Sequence, residues 1–484
     1  MRGGLVVAPR SVRRGESRDW VEDLPLWGAA GLIATVIWRA QDVLHVPGFV
    51  QPVWASLLFA LAAAMVGRTV WQRTDVLTSP IARGLIVFAV IALLSVVTSI
   101  APRASSSFFL KRIVPSLVLA WSVAVAIRGA RDVEWLVAAT VLGAAAFSLH
   151  ALAVGYSGQD GRWTGFAFYD PNDLALQLVA VTPLAAYYFR RGTSLMVRAA
   201  AAGAIGLYLL ALVRTESRGG LLGLAVVGGY VLVAFEAIPR RVRILGLVGG
   251  VLALGGLATG RYWSRIQTVL QPKTDYNLDR NDPTGRLQLW KRGLGYAVSR
   301  PVLGVGLNAY IVAERELSPI AHERRIQARP LNFLLIAHNT FIQIAAELGF
   351  AAVGVFLFIL WRTRKGLVLV GRARRAAGAD AADRAAALAR ALTGALLGFV
   401  VCGLFLSAPY FSLLYLLFGL AIGLERAAVP EPVATAAAPA GSDVDTPPRG
   451  WRAALSLPGR GGLVRGATPA RPEPRLPTGR GGAW

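Results

Sequence analysis

Cysteine is nearly missing: Cys402 stands alone in 484 residues. No intramolecular disulfide can form, and no cysteine-based metal site can be built. Charge is scarce as well, at 16% Asp, Glu, Lys and Arg, where soluble domains carry roughly 25%. Negative charge is the scarcest, with 27 acidic residues against 51 basic ones. Several functional signatures are absent. There is no GxxxxGKS/T phosphate loop, no CxxC pair, and no Asp-x-Asp in the long polar stretch over 260–332 that would suggest a divalent metal. Asp279 and Asp282 are three apart in a turn-like segment and do not make such a motif. Metal-free chemistry without a cofactor is the simpler expectation. No cleavable signal peptide is visible. The first apolar run follows Arg10, Arg13, Arg14 and Arg18 and reads as a retained signal-anchor.

Apolar residues are what the chain has in excess, at 55%, with a mean hydropathy of +0.52. A spanning helix needs about 20 mostly apolar residues. Such runs lie near 25–39, 50–67, 81–100, 109–127, 134–155, 172–189, 197–213, 219–237, 242–259, 333–361, 390–406 and 408–424. The expected fold is all-α: a polytopic membrane bundle of about twelve transmembrane helices with a helical periplasmic loop region. The expected parts are a basic cytoplasmic tail over 1–24, helices over 25–259, a large outer loop over 260–332, helices over 333–427 and a disordered tail over 428–484. Basic residues fix the orientation. Arg68 and Arg73, Arg128 and Arg131, Arg190 and Arg191, Arg240, Arg241 and Arg243, and the Arg362–Arg390 loop fall on alternate connections. That face is the cytoplasm by the positive-inside rule, so both termini are inside. The same topology explains the net charge of +24 without a nucleic-acid partner. The tail from Val429 is rich in Pro, Ala, Gly and Arg and lacks the periodicity to build a core. Its arginines read as solvated or as contacts to anionic membrane lipid.

The outer loop is too long for a simple connection. Residues 284–299 have a helical pattern, with Leu287, Trp290, Leu294 and Ala297 on one face. Pro301 stops that helix, and Gly304-Val305-Gly306 continues as a loop. The expected product is a small cap on the membrane surface. Polar residues gather at this face: Lys111-Arg112, Arg162 with Asp170-Pro171-Asn172-Asp173, Arg214 to Gly220, Thr284-Gly285-Arg286, and His338-Asn339. Arg112, Arg162, Asn172 and Asn339 are the candidates for holding substrate.

Three side chains stand out as catalytic candidates. Arg218 precedes Gly219-Gly220, where missing Cβ atoms allow a close approach. It can offer a planar fork to a phosphate, or it can simply snorkel with Glu216 as counter-ion. Arg286 opens an amphipathic helix, and helix starts favour anions. Taken alone it reads equally as a surface arginine. His338 is the one histidine where membrane meets loop. Asn339, Gln343 and Glu347 behind it are spaced by four and form one polar stripe. A neutral imidazole there can take a proton from an alcohol. Glu347, deeper in the helix, reads as a packing partner. His45, His150 and His322 make no comparable pattern.

In their order along the chain these stretches resemble the O-antigen ligase and polymerase superfamily of bacterial membrane glycosyltransferases. The resemblance rests on Arg162 with Asp170-Pro171-Asn172, Ser217-Arg218-Gly219-Gly220, Gly285-Arg286 with Trp290, Pro301 with Gly304-Val305-Gly306-Leu307-Asn308, and His338-Asn339 with Gly349. It covers roughly residues 160 to 360. Phe341 and Ala352 depart from the family's pattern, where leucine and glycine are common. The resemblance implies an inner-membrane enzyme that moves a glycan from an undecaprenyl-diphosphate carrier to a lipid or glycan acceptor at the periplasmic face. It implies that two arginines and one histidine do the work, which fall on Arg218, Arg286 and His338. The leaving lipid diphosphate gains negative charge, which arginines can stabilise without a metal. Direct displacement inverts the anomeric carbon, and no outer carboxylate pair argues for a covalent intermediate. A polymerase and a protein O-oligosaccharyltransferase remain open within the superfamily. Outside it, a lipid-linked oligosaccharide flippase would place polar residues through the membrane midplane, and a glycan sensor would leave the His338 and arginine set without a task.

Overall fold

The structure is a computed structural model. It describes residues 23–39, 75–154, 156–157, 163–164, 170–270, 282–326, 335–372 and 379–428. Arg162, the apolar run at 50–67, most of the basic tail and the C-terminal tail lie outside these residues.

The described chain is helical apart from one short antiparallel pairing of Tyr156-Ser157 with Trp163-Thr164. In order the main helices are α1 (Leu24–Ile33), α2 (Pro80–Val97), α3 (Pro102–Phe108), α4 (Val114–Ala126), α5 (Ala130–Val154) and α6 (Pro171–Ala186). There follow α7 (Leu195–Thr215), α8 (Arg218–Ala234), α9 (Arg240–Leu257) and α10 (Gly260–Leu270). The cap contributes α11 (Arg286–Ser299), α12 (Tyr310–Glu316) and α13 (Pro319–Ile326). The last three are α14 (Thr340–Arg372), α15 (Ala379–Gly403) and α16 (Ser412–Ala428). Short π-turns extend α1 over Ala34–Trp38 and join α3 to α4 over Phe109–Ile113.

Six segments among the described residues are long and apolar enough to cross a membrane: Pro80–Val97, Pro102–Ala126, Ala130–Val154, Leu195–Thr215, Thr340–Arg372 and Asp383–Gly403. Apart from the run at 50–67, which lies outside the described residues, the other expected spans fall on shorter or more basic helices. Helix α6 has 16 residues, and α8 and α16 have 17 each. At 1.5 Å per residue each reaches about 25 Å, short of a hydrocarbon core of about 30 Å. Helix α9 opens with Arg240, Arg241 and Arg243.

Burial explains why the short helices belong to the bundle. Helix α6 buries an almost unbroken run from Leu174 to Ala186, and α16 buries Leu413 to Leu424. Helix α15 packs against α6, α8 and α14, and α16 packs on α4. Over these buried runs α6 and α16 are apolar on nearly every side, the pattern of interior helices. Helix α9 buries none of its residues and lies at the periphery. On α14, Phe350, Leu357, Phe358 and Trp361 form an exposed apolar stripe, a lipid-facing pattern.

The basic loops meet at one end of the bundle. Arg190 and Arg384 both reach Glu134, at 2.6 and 3.3 Å. Arg390 pairs with Glu236 at 2.9 Å, and Arg128 pairs with Asp23. The cap sits at the opposite end. Its first helix begins at Arg286, two residues inside the expected start. Helix α11 packs on α14, and Tyr296, Val305, Ala309, Tyr310, Ala313, Ala337 and Ala346 form their shared core. Arg292 Nε reaches both oxygens of the buried Glu314, at 3.0 and 2.9 Å. Tyr296 donates to the same carboxylate at 3.1 Å. Burial, and then the Glu314 charge, hold the Tyr296 phenol well above its ordinary range, so it stays a donor.

Candidate active site

The site end of the bundle is made of helix starts. Helix α6 begins at Asp170-Pro171-Asn172, a proline at the first helical position behind an acidic N-cap. The Asp170 carboxylate accepts from the Asn172 backbone N–H and from its side-chain amide, both at 2.7 Å. That fixes the Asn172 side chain with its oxygen turned toward Ser217. Ser217, the N-cap of α8, donates to this oxygen at 2.8 Å and itself accepts from Gly220 N–H at 3.1 Å. One hydroxyl thus caps α8 and ties its first turn to that of α6.

Two glycines bring the helices this close. A Cβ on Gly220 would stand 2.8 Å from Ala175 Cβ, and one on Gly223 would stand 2.5 Å from Cys402 Sγ. A larger residue at either position would force its neighbours to shift.

Helix α11 supplies the third start. Asp282 accepts from the Thr284 N–H at 2.8 Å and from its hydroxyl at 2.7 Å. These hydrogen bonds, the hydroxyl's first, hold the Asp282 carboxyl below its ordinary range. The turn delivers Gly285 as N-cap and Arg286 as first helical residue.

The three starts border one cleft. Asn172, Ser217, Gly219, Gly220 and Arg286 form its polar side, and Cys402, Phe405 and Leu406 its apolar side. The N-terminal ends of α6, α8 and α11 therefore point at the same volume. The starts of α8 and α11 each carry about half a positive charge, whereas at α6 the Asp170 carboxylate already takes the Asn172 N–H and offsets the dipole.

His338 stands next to this cleft, on the entry to α14. Its φ of 47° is left-handed, unusual for a non-glycine residue. Both flanks are anchored. Trp290 Nε1 donates to Ala337 O at 2.9 Å. On the other side Asn339 caps α14, its side-chain oxygen accepting from Phe341 and Ile342 N–H at 2.9 and 3.0 Å. The Asn339 amide also donates to Leu404 O at 3.0 Å, and Thr340 donates to Leu406 O at 2.8 Å. The segment that walls the cleft is thus hydrogen-bonded to the two residues after His338. The Nδ1 edge of the ring is buried.

The structure brings Asn172 and Arg286 together in the cleft and places Arg218 at its rim, between the lining residues Ser217 and Gly219. His338 and Asn339 adjoin it without lining it. Arg112 is exposed on the Phe109–Ile113 π-turn and does not line it. Arg162 is outside the described residues. Among the described residues no group of three or more His, Cys, Asp or Glu is arranged to hold a metal ion.

Glu347 has the packing role expected for it. It is buried to 1% exposure. It accepts from Gln343 Nε2 (3.1 Å), Tyr410 OH (2.7 Å), Asn308 N–H (3.1 Å) and Tyr310 N–H (3.3 Å). It so fastens the 306–310 turn to α14. Just below, Gly349 has φ 83°, and Phe350 N–H donates to Pro301 O at 2.9 Å. Cys402, Phe405 and Leu406 are site residues that sequence reasoning misses. They sit in an apolar helix end and loop with no polar pattern to mark them.

No curated protein matches this chain. One family model does match, described as O-antigen ligase, over residues 203–359. The matched segment runs from α7 into α14 and contains Arg218, Arg286, Trp290, His338 and Asn339, while Arg112, Arg162 and Asn172 precede it. The starts of α8 and α11, with Arg218 and Arg286, fall inside that segment, and the match supports the O-antigen ligase and polymerase superfamily as the family of this membrane protein.

Proposed function

We propose that the chain is a glycosyltransferase of O-antigen ligase type. It moves a glycan from an undecaprenyl-diphosphate carrier to a lipid A-core type acceptor. The observation that carries this reading is the cleft where α6, α8 and α11 all begin, with Arg286 on its wall and Arg218 at its rim. Aligned helix starts and guanidinium forks are the donors an anionic phosphate needs. The positive-inside rule puts the end with Glu134, Arg190, Arg384 and Arg390 in the cytoplasm. The cleft then faces the periplasm, both termini lie inside, and the bundle has about twelve spans.

In the reaction the acceptor hydroxyl attacks the anomeric carbon of the donor sugar. His338 takes the hydroxyl proton or orients the hydroxyl. The C1–O bond breaks, and its electrons pass to the lipid diphosphate. Arg218, Arg286 and the starts of α8 and α11 stabilise that charge as it develops. Direct displacement inverts the anomeric centre. The positive groups of the cleft suffice for the leaving charge, so the proposed reaction is metal-independent. Asn172, on the cleft wall, contacts the bound sugars, and Asn339 holds the Leu404–Leu406 wall in place.

Two experiments test the reading. In a deletion strain, loss of all polymer from the lipid core with polymer still made on the carrier identifies a ligase. A single repeat on the core identifies a polymerase instead. In reconstituted protein, Arg218→Ala or Arg286→Ala should abolish transfer at normal protein level. Lys at either position should restore only part, since it lacks the bidentate fork. Full activity of both Ala variants would remove the diphosphate site.

A further inference from the structure

We infer that Trp290 is a positioning residue that sets His338 at a fixed distance from Arg286. The inference rests on the glycosyltransferase function proposed for the cleft and goes beyond it. Arg286 and Trp290 are four apart on α11, so they lie on the same face of one helix. Their Cα atoms are separated by about 6 Å along the axis. Arg286 projects into the cleft. Trp290 Nε1 donates at 2.9 Å to the carbonyl of Ala337, the residue before His338. One helical turn thus carries both the phosphate-side group and the anchor of the proposed base.

The anchor matters because His338 is in the left-handed region, φ 47°. A non-glycine residue stays there only where its surroundings over-determine it. Asn339 holds the C-terminal flank through the α14 cap and Leu404. Trp290 holds the N-terminal flank. Without the indole N–H the Ala337–His338 peptide can rotate, and the imidazole leaves its register with the cleft. The donor site itself stays intact, because Trp290 does not line it.

A displacement of about 1 Å in a reacting group can cost about 100-fold in rate. The expected result is therefore a fall in turnover with little change in donor binding. The full chain in lipid nanodiscs is given a lipid-diphosphate glycan and an acceptor. Two changes are compared with wild type. Trp290→Phe removes the N–H and part of the ring. Site-specific replacement of Trp290 by 3-benzothienylalanine keeps the ring shape and exchanges only N–H for sulfur. For the sulfur analogue kcat should fall about 10- to 100-fold, donor KM should stay within about threefold, and the melting temperature should be unchanged. Trp290→Phe should show the same split between kcat and KM. A sulfur analogue with kcat within twofold of wild type overturns the proposal. So does a loss expressed in donor KM alone, or one that follows the folded fraction. The Arg218→Ala and Arg286→Ala variants run in parallel separate the two ideas. If wild type itself transfers no glycan the proposed glycosyltransferase function fails, and if the two arginine variants are fully active the diphosphate site fails. If they are inactive while the sulfur analogue is fully active, only the role of Trp290 fails.

Discussion

Glu347 offers a measurement whose size follows from the hydrogen bonds around it. Its two oxygens serve four donors, two on side chains and two on the backbone of the 306–310 turn. The Gln343 amide and the Tyr410 hydroxyl can turn and become acceptors. The Asn308 and Tyr310 N–H groups cannot. In Glu347→Gln one carboxylate oxygen becomes NH₂, and each oxygen faces one of those N–H groups, so one of them loses its acceptor whichever way the amide lies. In Glu347→Ala both lose it. An orphaned buried donor costs about 1–3 kcal/mol. Opening of the turn should become easier by at least about 1 kcal/mol for Gln and about 2 kcal/mol for Ala, or about 5-fold and about 30-fold in the opening equilibrium. Hydrogen exchange measured on a peptide covering residues 303–310 reads this directly. A peptide from the far end of α5 serves as control. Turnover should fall in the same order, because the turn and His338 both anchor to α14. Exchange in the Ala variant equal to wild type would refute the reasoning and leave Glu347 without a structural task.

Three further outcomes are expected. Ser217→Ala removes the α8 cap and the bridge to Asn172. Loss of an N-cap costs about 0.5–2 kcal/mol, so the melting temperature should drop by a few degrees and donor KM should rise, as titration of turnover against donor will show. Gly349→Ala forces a Cβ into the left-handed region, 2.4 Å from Val302 O. It should lower the yield of folded protein in detergent far more than Gly354→Ala, where a Cβ meets open space. His338→Gln keeps a polar side chain but cannot take a proton. Turnover per folded molecule should fall about 10²- to 10⁴-fold if His338 is the base, and a Gln enzyme within a few-fold of wild type would end that assignment.

The parts of the site that are local in sequence are legible in the sequence alone. Ser217-Arg218-Gly219-Gly220 carries its own N-cap signature, and the Pro-Thr-Gly turn before Arg286 announces a helix within two residues of where it begins. The stripe of Asn339, Gln343 and Glu347 follows from helical spacing, and all three are buried. The parts that depend on packing are not legible in this way. Asn172 meets Ser217 across 45 residues, and Trp290 meets Ala337 across 47. No local rule ties such pairs. Trp290 is legible as one residue of an apolar face, yet its ring edge does the anchoring. Phe405 and Leu406 resemble any apolar loop until α15 and α6 are packed. Hydropathy counts apolar residues and ignores how many flanks a helix has covered. It cannot separate the buried α6 and α16 from membrane-long helices such as α5.

The way positive charge is assembled at the cleft has a physical reason. A diphosphate site beside hydrocarbon must be strongly positive when filled and tolerable when empty. Ionised side chains sunk in the apolar interior fail the second condition, because an unpaired charge there is expensive. Helix starts meet both. Their N–H groups are fixed dipoles that need no desolvation of a full charge and do not reorganise as the leaving group forms. The chain borders the cleft with the starts of α8 and α11 and keeps Arg218 and Arg286 half-buried. On the proposed function the close packing at Gly220 and Gly223 serves the chemistry as much as the fold. A larger residue at either would spread α8 from α6 and α15 and so weaken the field at the cleft, even with both arginines in place.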